Sequence, residues 1–435
     1  MLNSRAVLAH ALAQGALLTS ALLLPTSASA QTPPLERELR VFFDCPDFHC
    51  DQDFLTEGIG WVDFVTDRQV ADVHVLVTRQ TTAGGGAEYT LRFIGRERFE
   101  GRETSLRQIT AADATDDDRR RVLARAAKIG LAPFAAETPV ADRLTVSLEE
   151  GAETGEQAPQ EDPWHGWVFR ASLNSFFNGQ SSYRYMNAFG SFSASRTTAD
   201  WKHSVSVHGS RQHEEFEIDD STTIESERES YGAGSLLVKS ISEHWSVGGN
   251  SGWNRSTRNN FDASFTIGPA IELSFFPYSE STTRLLTLLY TVGPRYYDYN
   301  ERTIYGRINE SLLQQRLTLG YDATQPWGSI DGRLSARHYI VSFGGDSRWA
   351  DPQYTLSVGG GAEVRLFRGL SLRLDGFTEM VRDQIELAAG DRTPEEILTQ
   401  QRELATDYRY FGSFGFTYRF GSIYSPVVNP RFPSF

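Results

Sequence analysis

Long hydrophobic runs are scarce in this chain. Its 435 residues have a negative mean hydropathy of -0.38, and beyond the N-terminus no apolar run reaches the ~20 residues of a transmembrane helix. A bundle of membrane-spanning helices is therefore excluded. Aromatic residues are plentiful at 12%, with 27 Phe and 17 Tyr. A transmembrane β-strand needs an apolar residue only at every second position, so a β-barrel can have the mean hydropathy of a soluble protein.

Positive charge is also in short supply. The chain has 42 Lys and Arg against 56 Asp and Glu, which gives a formal net charge of -14. Binding to a phosphate backbone requires clustered positive charge. We therefore expect no nucleic-acid partner.

Cysteine is limited to two residues, Cys45 and Cys50. In an oxidising compartment such a close pair most simply forms a disulfide. The alternative is a zinc site made by both thiolates, His49 and a nearby Asp, but these ligands are crowded together and no distant pair completes the set. The spacing also differs from the Cys-x-x-Cys of redox enzymes. We expect a disulfide, no metal and no cofactor.

The first 30 residues have the features of a secretory signal peptide. Arg5 provides the positive region, residues 16–24 provide the apolar region, and Ala28 and Ala30 provide the small residues of a cleavage site. The mature chain would then begin at Gln31 and be exported. An uncleaved anchor helix is the alternative, although the apolar run is short for a bilayer span.

Residues 31–145 indicate a small periplasmic α+β domain. Alternating runs bounded by Gly and Asp predict four strands, over 39–43, 61–65, 72–77 and 89–94, and helices are expected over 51–57 and 116–134. In the strand 72–77, His74 lies on the face opposite to that of Val73, Val75 and Val77. We therefore expect it to face solvent or a partner.

The run from Val70 to Ile94 resembles the N-terminal α/β domain of the Tol translocation protein. That resemblance implies a domain for protein contacts in the periplasm and no catalytic residue. We accordingly expect a periplasmic protein partner to bind through residues 36–145. An acidic segment rich in Gly and Pro, residues 146–163, then predicts a flexible linker.

Residues 164–420 predict a transmembrane antiparallel up-and-down β-barrel of about twelve strands, an even number as bacterial barrels require. Tyr408, Tyr410, Phe414, Phe416 and Tyr418 share one face of the last segment, whereas the other face is mainly polar. The twelve predicted strands cover residues 166–178, 181–196, 200–215, 226–240, 243–254, 260–277, 282–297, 303–322, 328–342, 353–367, 369–388 and 407–420.

The connections between these strands alternate in predicted length. Short ones, such as residues 197–199 and 325–327, would lie on the periplasmic side. Long ones would lie outside, including residues 217–224, 344–352 and 389–407, and the last should contain a short helix from Pro394 to about Ala405.

The C-terminal strand carries the most specific motif. Ser413, Gly415, Tyr418 and Phe420 resemble the C-terminal signal of bacterial outer-membrane barrels. The resemblance implies recognition by the barrel assembly machinery and an outer-membrane location in contact with lipid. A tail, residues 421–435, departs from the usual ending at the aromatic residue. The run from Thr291 to Tyr297 also makes the chain similar to the uncharacterised salt-induced outer-membrane protein group.

Two alternatives concern what residues 164–420 are and do. A soluble β-sandwich or β-helix would have shorter strands. An outer-membrane hydrolase or acyl transferase would need a nucleophile beside a base. The candidate groups for such an active site are His208, Ser210, His213, Asp219 and Asp220. They form no recognised pattern, so we expect no enzyme and no catalytic residue.

Charged residues are expected on the polar face of the barrel. Arginines at 307, 316, 373 and 419 could pair with Asp375, Glu379 and Glu363. Such pairs would form a packed polar core, and the alternative is a selectivity filter in a pore. The residues themselves name no solute.

Overall fold

The protein is described from a computed structural model that covers residues 39–45, 50–82, 84–145, 162–219, 221–342, 353–367, 370–390 and 405–418. The predicted signal peptide with Ala28 and Ala30, His49, most of the predicted linker, Phe420, residues 421–435 and the predicted helix from Pro394 lie outside the described residues. Among the described residues, no helix has the length and apolar character needed to cross a bilayer.

The N-terminal domain is a five-stranded sheet with two helices. Its elements are β1 (Arg40–Asp44), α1 (Gln52–Gly58), β2 (Asp63–Phe64), β3 (Val73–Thr81), β4 (Ala87–Gly95), β5 (Glu103–Thr110) and α2 (Asp116–Ala135). The strand order is β2-β1-β3-β4-β5, with β1 parallel to both neighbours and β3, β4 and β5 antiparallel. The sequence reading missed β5, which is a mostly exposed edge strand without an apolar face.

The core of this domain lies between one face of the sheet and α2. Val73 and Val75 of β3 and Phe93 of β4 are fully buried together with Leu131 of the helix. Gly130 permits this packing, because a Cβ there would lie 2.0 Å from the ring of Phe93. The helix begins with a capping box between Thr115 and Asp118, which satisfies two backbone groups of its first turn.

Twelve further strands form a second, larger sheet. They are β6 (Trp167–Gln180), β7 (Tyr183–Thr197), β8 (Trp201–Asp219), β9 (Thr222–Ser240), β10 (Trp245–Ser256), β11 (Phe261–Ser274), β12 (Arg284–Tyr299), β13 (Asn309–Gln325), β14 (Gly328–Ser342), β15 (Tyr354–Phe367), β16 (Leu370–Val381) and β17 (Tyr408–Tyr418). They follow chain order, and each neighbouring pair is antiparallel. The prediction of twelve antiparallel strands is confirmed.

Closure of this sheet is not part of the described structure. Its edge strands are β6 and β17, and no pairing joins them among the described residues. The sheet is nevertheless curled, because one cavity is lined by residues of strands from β8 through to β14. The predicted closed barrel is therefore seen as a twelve-stranded curled sheet with two free edges.

Three of the predicted strand and loop boundaries were wrong. Residues 217–224 are not a long loop, because β8 and β9 extend into a tight hairpin there. Residues 303–308 connect β12 to β13 rather than beginning a strand. The chain leaves the sheet at Val381, so that residues 382–388 are not part of β16. In the last two cases the alternation extends beyond the paired residues, and in the first the polar residues at the strand ends gave no sign that pairing continues.

Candidate functional site

One face of the large sheet, here termed the outer face, is apolar and exposed. The register places Leu319 beside Leu288 and Leu334, and Leu334 beside Val358. The same alignment continues across the sheet from edge to edge through residues such as Leu173, Phe192, Val207, Leu237, Val247, Ile271, Leu374 and Phe414. The side chains of Leu173 and Phe414 are 82% and 76% exposed, respectively. The register therefore gathers the apolar positions of twelve strands into one continuous band.

Aromatic residues mark both ends of the outer face. Trp167, Trp201 and Trp245 begin β6, β8 and β10 at the end of the sheet with short connections. At the other end of β10 lies Trp253, which pairs with Phe265. Trp245 and Trp253 are separated by about 27 Å along the strand at ~3.4 Å per residue. That separation matches the apolar band of ~25 Å, bordered by aromatic residues, on transmembrane β-barrels.

The opposite face, here termed the inner face, is polar. Ser172 and Ser191 share a hydrogen bond of 2.7 Å, and Thr318 donates one of 3.3 Å to Ser335. Along β15, Ser357 faces inward and Val358 outward, which shows the two-residue period at its simplest.

The concave inner face lines a cavity of about 1100 Å³. Residues of the short connections, including Asp200 and Glu243, line it at one end, so it extends to that end of the sheet. Arg295, Arg316 and Arg333 line it further along β12, β13 and β14. Sequence reasoning singled out Arg316 but missed Arg295 and Arg333, because only the register brings the three onto one wall.

The long-connection end of the curl is crossed by residues 382–389, which we name the strap. The side-chain amide of Asn260 donates a hydrogen bond of 2.9 Å to the carbonyl oxygen of Glu386. The backbone N–H of Ile304 donates one of 2.8 Å to the carbonyl oxygen of Leu387. Because these partners lie in the β10–β11 and β12–β13 connections, the strap spans from β16 to non-neighbouring strands.

Side chains of the strap contact buried groups of the inner face. Asp383 accepts hydrogen bonds from Arg337 at 2.8 and 3.1 Å and a short one from Thr355. Ile385 is 1% exposed and packs with inner-face residues Tyr297 and Tyr339, whose hydroxyl groups lie 3.0 Å apart. The strap and these tyrosines fill the long-connection end of the interior.

The N-terminal domain contacts the other end of the sheet. Arg365 of β15 makes two hydrogen bonds of 2.5 Å to the carboxylate of Asp44 in β1. His74 lies 3.0 Å from the same carboxylate and is fully buried. Arg68 also donates a short hydrogen bond to the carbonyl oxygen of Pro326, and Gln80 donates one of 3.3 Å to Ser281. All the contacts named here join the domain to the short connections or to strand ends beside them.

The electrostatics of this contact follow from burial and pairing. Burial opposes ionisation of Asp44, but the hydrogen bonds from His74 and Arg365 outweigh it and hold its pKa below the ordinary value. Burial lowers the pKa of His74, although Asp44 acts in the opposite direction. A neutral His74 therefore donates from Nε2 to the ionised carboxylate. Of the two expected positions of His74, facing solvent or facing a partner, the first was wrong, because the second face of the small sheet is covered here by the large sheet.

The two cysteines form a disulfide, as the sequence predicts. Cys45 and Cys50 are linked with their Cα atoms 6.1 Å apart. Among the described residues, no group of three or more His, Cys, Asp or Glu side chains is arranged to hold a metal ion.

The charged and catalytic candidates fall in separate places. Arg373 pairs with Asp375 at 3.1 Å and lies 3.9 Å from Glu363, and Arg409 pairs closely with Glu379. Arg307 lies in a connection, and Arg419 lies outside the described residues. Register pairing places His208 and Ser210 on the inner face and His213 on the outer face. Asp219 ends β8, and Asp220 is outside the described residues.

The residues of the predicted assembly signal lie on the edge strand β17. Ser413 and Gly415 are on its inner face, and Tyr418 is on its outer face and exposed. Recognition of this strand by an assembly machinery stays a prediction.

Comparison with known proteins identifies no family. No family model matches the chain, and no curated protein matches it. Among solved structures it is similar to the translocator domain of the autotransporter NalP from Neisseria meningitidis, at 11% identity and a TM-score of 0.25, over 58% of this chain and 87% of that one. A likeness this distant decides neither the fold nor the function, which must be argued from the chain itself.

Proposed function

We propose that this chain is an integral outer-membrane β-barrel protein with a periplasmic N-terminal domain docked at the short-connection end of the barrel. The outer face carries this proposal. A soluble monomer rarely exposes a contiguous apolar patch of more than a few hundred Å², whereas here the apolar band continues across twelve strands. Lipid is the environment in which such a band is stable, and the polar inner face then lines an enclosed interior.

The orientation follows from the two ends of the sheet. The N-terminal domain precedes the barrel and contacts its short-connection end, which we assign to the periplasm. Short periplasmic turns and longer external connections are typical of bacterial barrels. The strap then lies on the external side, and the cavity opens toward the periplasm.

The role that we propose is binding or gated transport rather than passive diffusion. The strap and the buried tyrosines beneath it occupy the external end of the interior. A solute could reach the cavity from the periplasmic end but could leave outward only after the strap moves. The N-terminal domain has one face on the barrel and its helices on the other, so a second protein would reach it through the helical side.

Closure completes the proposal. β6 begins and β17 ends at the short-connection end, so the two edges run antiparallel to each other. Their pairing would satisfy two rows of backbone groups that cannot remain unpaired in hydrocarbon. An even number of strands is what an antiparallel closed barrel requires.

The experiment is heat modifiability of the mature chain refolded into detergent or vesicles. We expect the unboiled protein to migrate differently from the boiled protein on a gel and to fractionate with outer membranes in cells. Identical migration, together with recovery in the soluble periplasmic fraction, would contradict the proposal.

A further inference from the structure

Two chemically different kinds of side chain line the cavity on the inner face. Leu236 and Val238 of β9 and Leu289 of β12 line it with aliphatic side chains, although they occupy inner-face positions that are mostly polar elsewhere in the sheet. Arg295, Arg316 and Arg333 line it on β12, β13 and β14, and Leu289 lies on the same strand as Arg295. In a water-filled pore the aliphatic side chains would be exposed to water, and in a packed core other side chains would fill the cavity volume.

Close ion pairs with described residues do not neutralise these three arginines, although Arg333 interacts electrostatically with Asp322. None of them makes an ion pair or a hydrogen bond with a described residue, and the Nε of Arg295 is buried without an acceptor. The neighbouring inner-face arginines differ, since Arg337 is paired with Asp383 and Arg373 with Asp375. The unpartnered positive charge is thus concentrated on the cavity wall.

Positive and negative side chains lie at different positions along the cavity. Arg316 lies opposite Thr291 in β12 and Arg337 in β14, so two like charges face each other across one strand pair. Among the described residues, Asp383 is the carboxylate near both of them, and its hydrogen bonds go to Arg337. The cavity carboxylates Asp200, Glu243 and Glu272 lie near the short-connection end, where Tyr278 donates to Glu272 at 2.8 Å.

We propose that this cavity binds an anionic amphiphile, with its oxyanion head on Arg295 and Arg316 and its apolar chain along Leu236, Val238 and Leu289. Guanidinium groups bind carboxylate and phosphate oxygens with charge-assisted hydrogen bonds. Ligand pockets combine mostly apolar walls with a few polar groups that orient the ligand. The volume of about 1100 Å³ accommodates such a molecule, which enters from the periplasmic end. The inference deepens the proposed function, because it needs the inner face to be enclosed.

The test uses the full mature protein in lipid nanodiscs and titration calorimetry with four short-chain probes. Octanoate and octyl phosphate carry the proposed head and chain, acetate lacks the chain, and octylammonium carries the opposite charge. Empty nanodiscs correct for partition into lipid. We expect binding of octanoate, octyl phosphate or both, and the tighter of the two identifies a carboxylate or a phosphate head.

Variants separate the two kinds of side chain. Arg295→Gln combined with Arg316→Gln should weaken binding of the octyl anion by about tenfold or more, as expected for loss of hydrogen bonds from charged donors. Loss of Arg316 also removes the repulsion from Arg337, so this variant should fold. Leu236→Ser combined with Leu289→Ser should weaken octanoate toward the affinity of acetate. Arg373→Gln is the matched control, since it removes an inner-face arginine outside the cavity and should leave binding unchanged.

The proposal is overturned if neither octyl anion binds, if octylammonium binds equally well, or if the arginine pair and Arg373→Gln have the same effect. Heat modifiability of the same preparations keeps the two hypotheses apart. If the protein is heat-modifiable but binds none of the probes, only the proposed ligand binding is contradicted. If it is not heat-modifiable, the proposed barrel is contradicted.

Discussion

Arg365 and Asp44 are 321 residues apart in the chain, yet their side chains meet in a two-pronged ion pair with both N–O distances at 2.5 Å. The pair joins the N-terminal domain to the end of β15, and Asp44 is only 4% exposed. His74 contacts the same carboxylate, and the Arg365 guanidinium lies 5.6 Å from the ring centre of Phe42. This small cluster is the polar centre of the contact between the two parts of the protein.

We predict that Arg365→Gln weakens docking of the N-terminal domain by about 2 kcal/mol. Breaking a buried pair costs about 3–5 kcal/mol, and the partial exposure of Arg365 reduces that figure. Docking can be measured by photo-crosslinking from p-benzoylphenylalanine in place of Gln80, which contacts Ser281. Arg92→Gln, which removes a surface pair with Glu103, is the control. Equal crosslinking yields in both variants would show that the pair does not hold the domain.

Docking should also weaken in mild acid. The pKa of His74 is lowered by burial at the contact, so the undocked state binds the proton more tightly than the docked state. Docking is therefore complete above the ordinary pKa of 6.5 and is lost progressively as the pH falls below it. The lowered pKa of Asp44 acts in the same direction but only near its ordinary value of 3.8.

The pH dependence can be followed with the same crosslink between pH 7 and pH 5. We expect the yield to fall in the wild-type protein and to change little in His74→Gln, which keeps a side-chain donor but cannot titrate in this range. Arg68 and Arg365 are the charged neighbours and stay protonated throughout. A yield independent of pH in the wild type would exclude His74 as the titrating group.

Much of this architecture follows from the period-two pattern of the sequence. Each of the twelve strands overlaps its predicted span, and most of their ends lie within a few residues of the prediction, because alternation of apolar and polar residues is a local property. β5 escaped prediction because an exposed edge strand such as Glu103–Thr110 has no apolar face. His74 was correctly placed on the opposite face of β3 from Val73 and Val75. Its local sequence does not show, however, that residues more than 200 positions away cover that second face.

The strap and the cavity were beyond the reach of sequence reasoning for a similar reason. Asp383, Ile385 and Leu387 continue the alternation of β16 and were read as part of that strand. They leave the sheet because Arg337 and the inner-face tyrosines provide better partners, and those partners come from other strands. Arg295, Arg316 and Arg333 share a wall only through the register of β12, β13 and β14.

We predict that Asp383→Asn releases the strap and increases conductance. The substitution removes the carboxylate that holds Arg337 and Thr355, which are the charged and side-chain contacts between the strap and the inner face at this point. Single-channel recording in planar bilayers should show a closed or nearly closed wild type and frequent openings of the variant. Asp375→Asn removes an inner-face carboxylate paired with Arg373 but not with the strap, so it should behave as wild type. Equal conductance in all three proteins would contradict a gate at this position.

Pairing between β6 and β17 can be tested with engineered disulfides. In a background with Cys45→Ser and Cys50→Ser, Ala171→Cys is combined in turn with Gly412→Cys, Phe414→Cys or Phe416→Cys. All of these positions are on the outer face, and an antiparallel closure that aligns the start of β6 with the end of β17 brings one of the three partners next to residue 171. We expect one pair to crosslink within the monomer. Failure of all three, or crosslinking only between molecules, would contradict closure.

The most direct measurement of the central claim compares two adjacent residues of β15. Val358 lies on the outer face and Ser357 on the inner face, and both are near the middle of the strand. Arginine facing lipid at the bilayer midplane costs about 2–4 kcal/mol, whereas arginine at Ser357 would lie opposite Glu379 in the polar interior. Folding free energies of Val358→Arg and Ser357→Arg are measured by urea titration in lipid vesicles. The account predicts a loss in this range for Val358→Arg and little change for Ser357→Arg, and equal or reversed losses would contradict it.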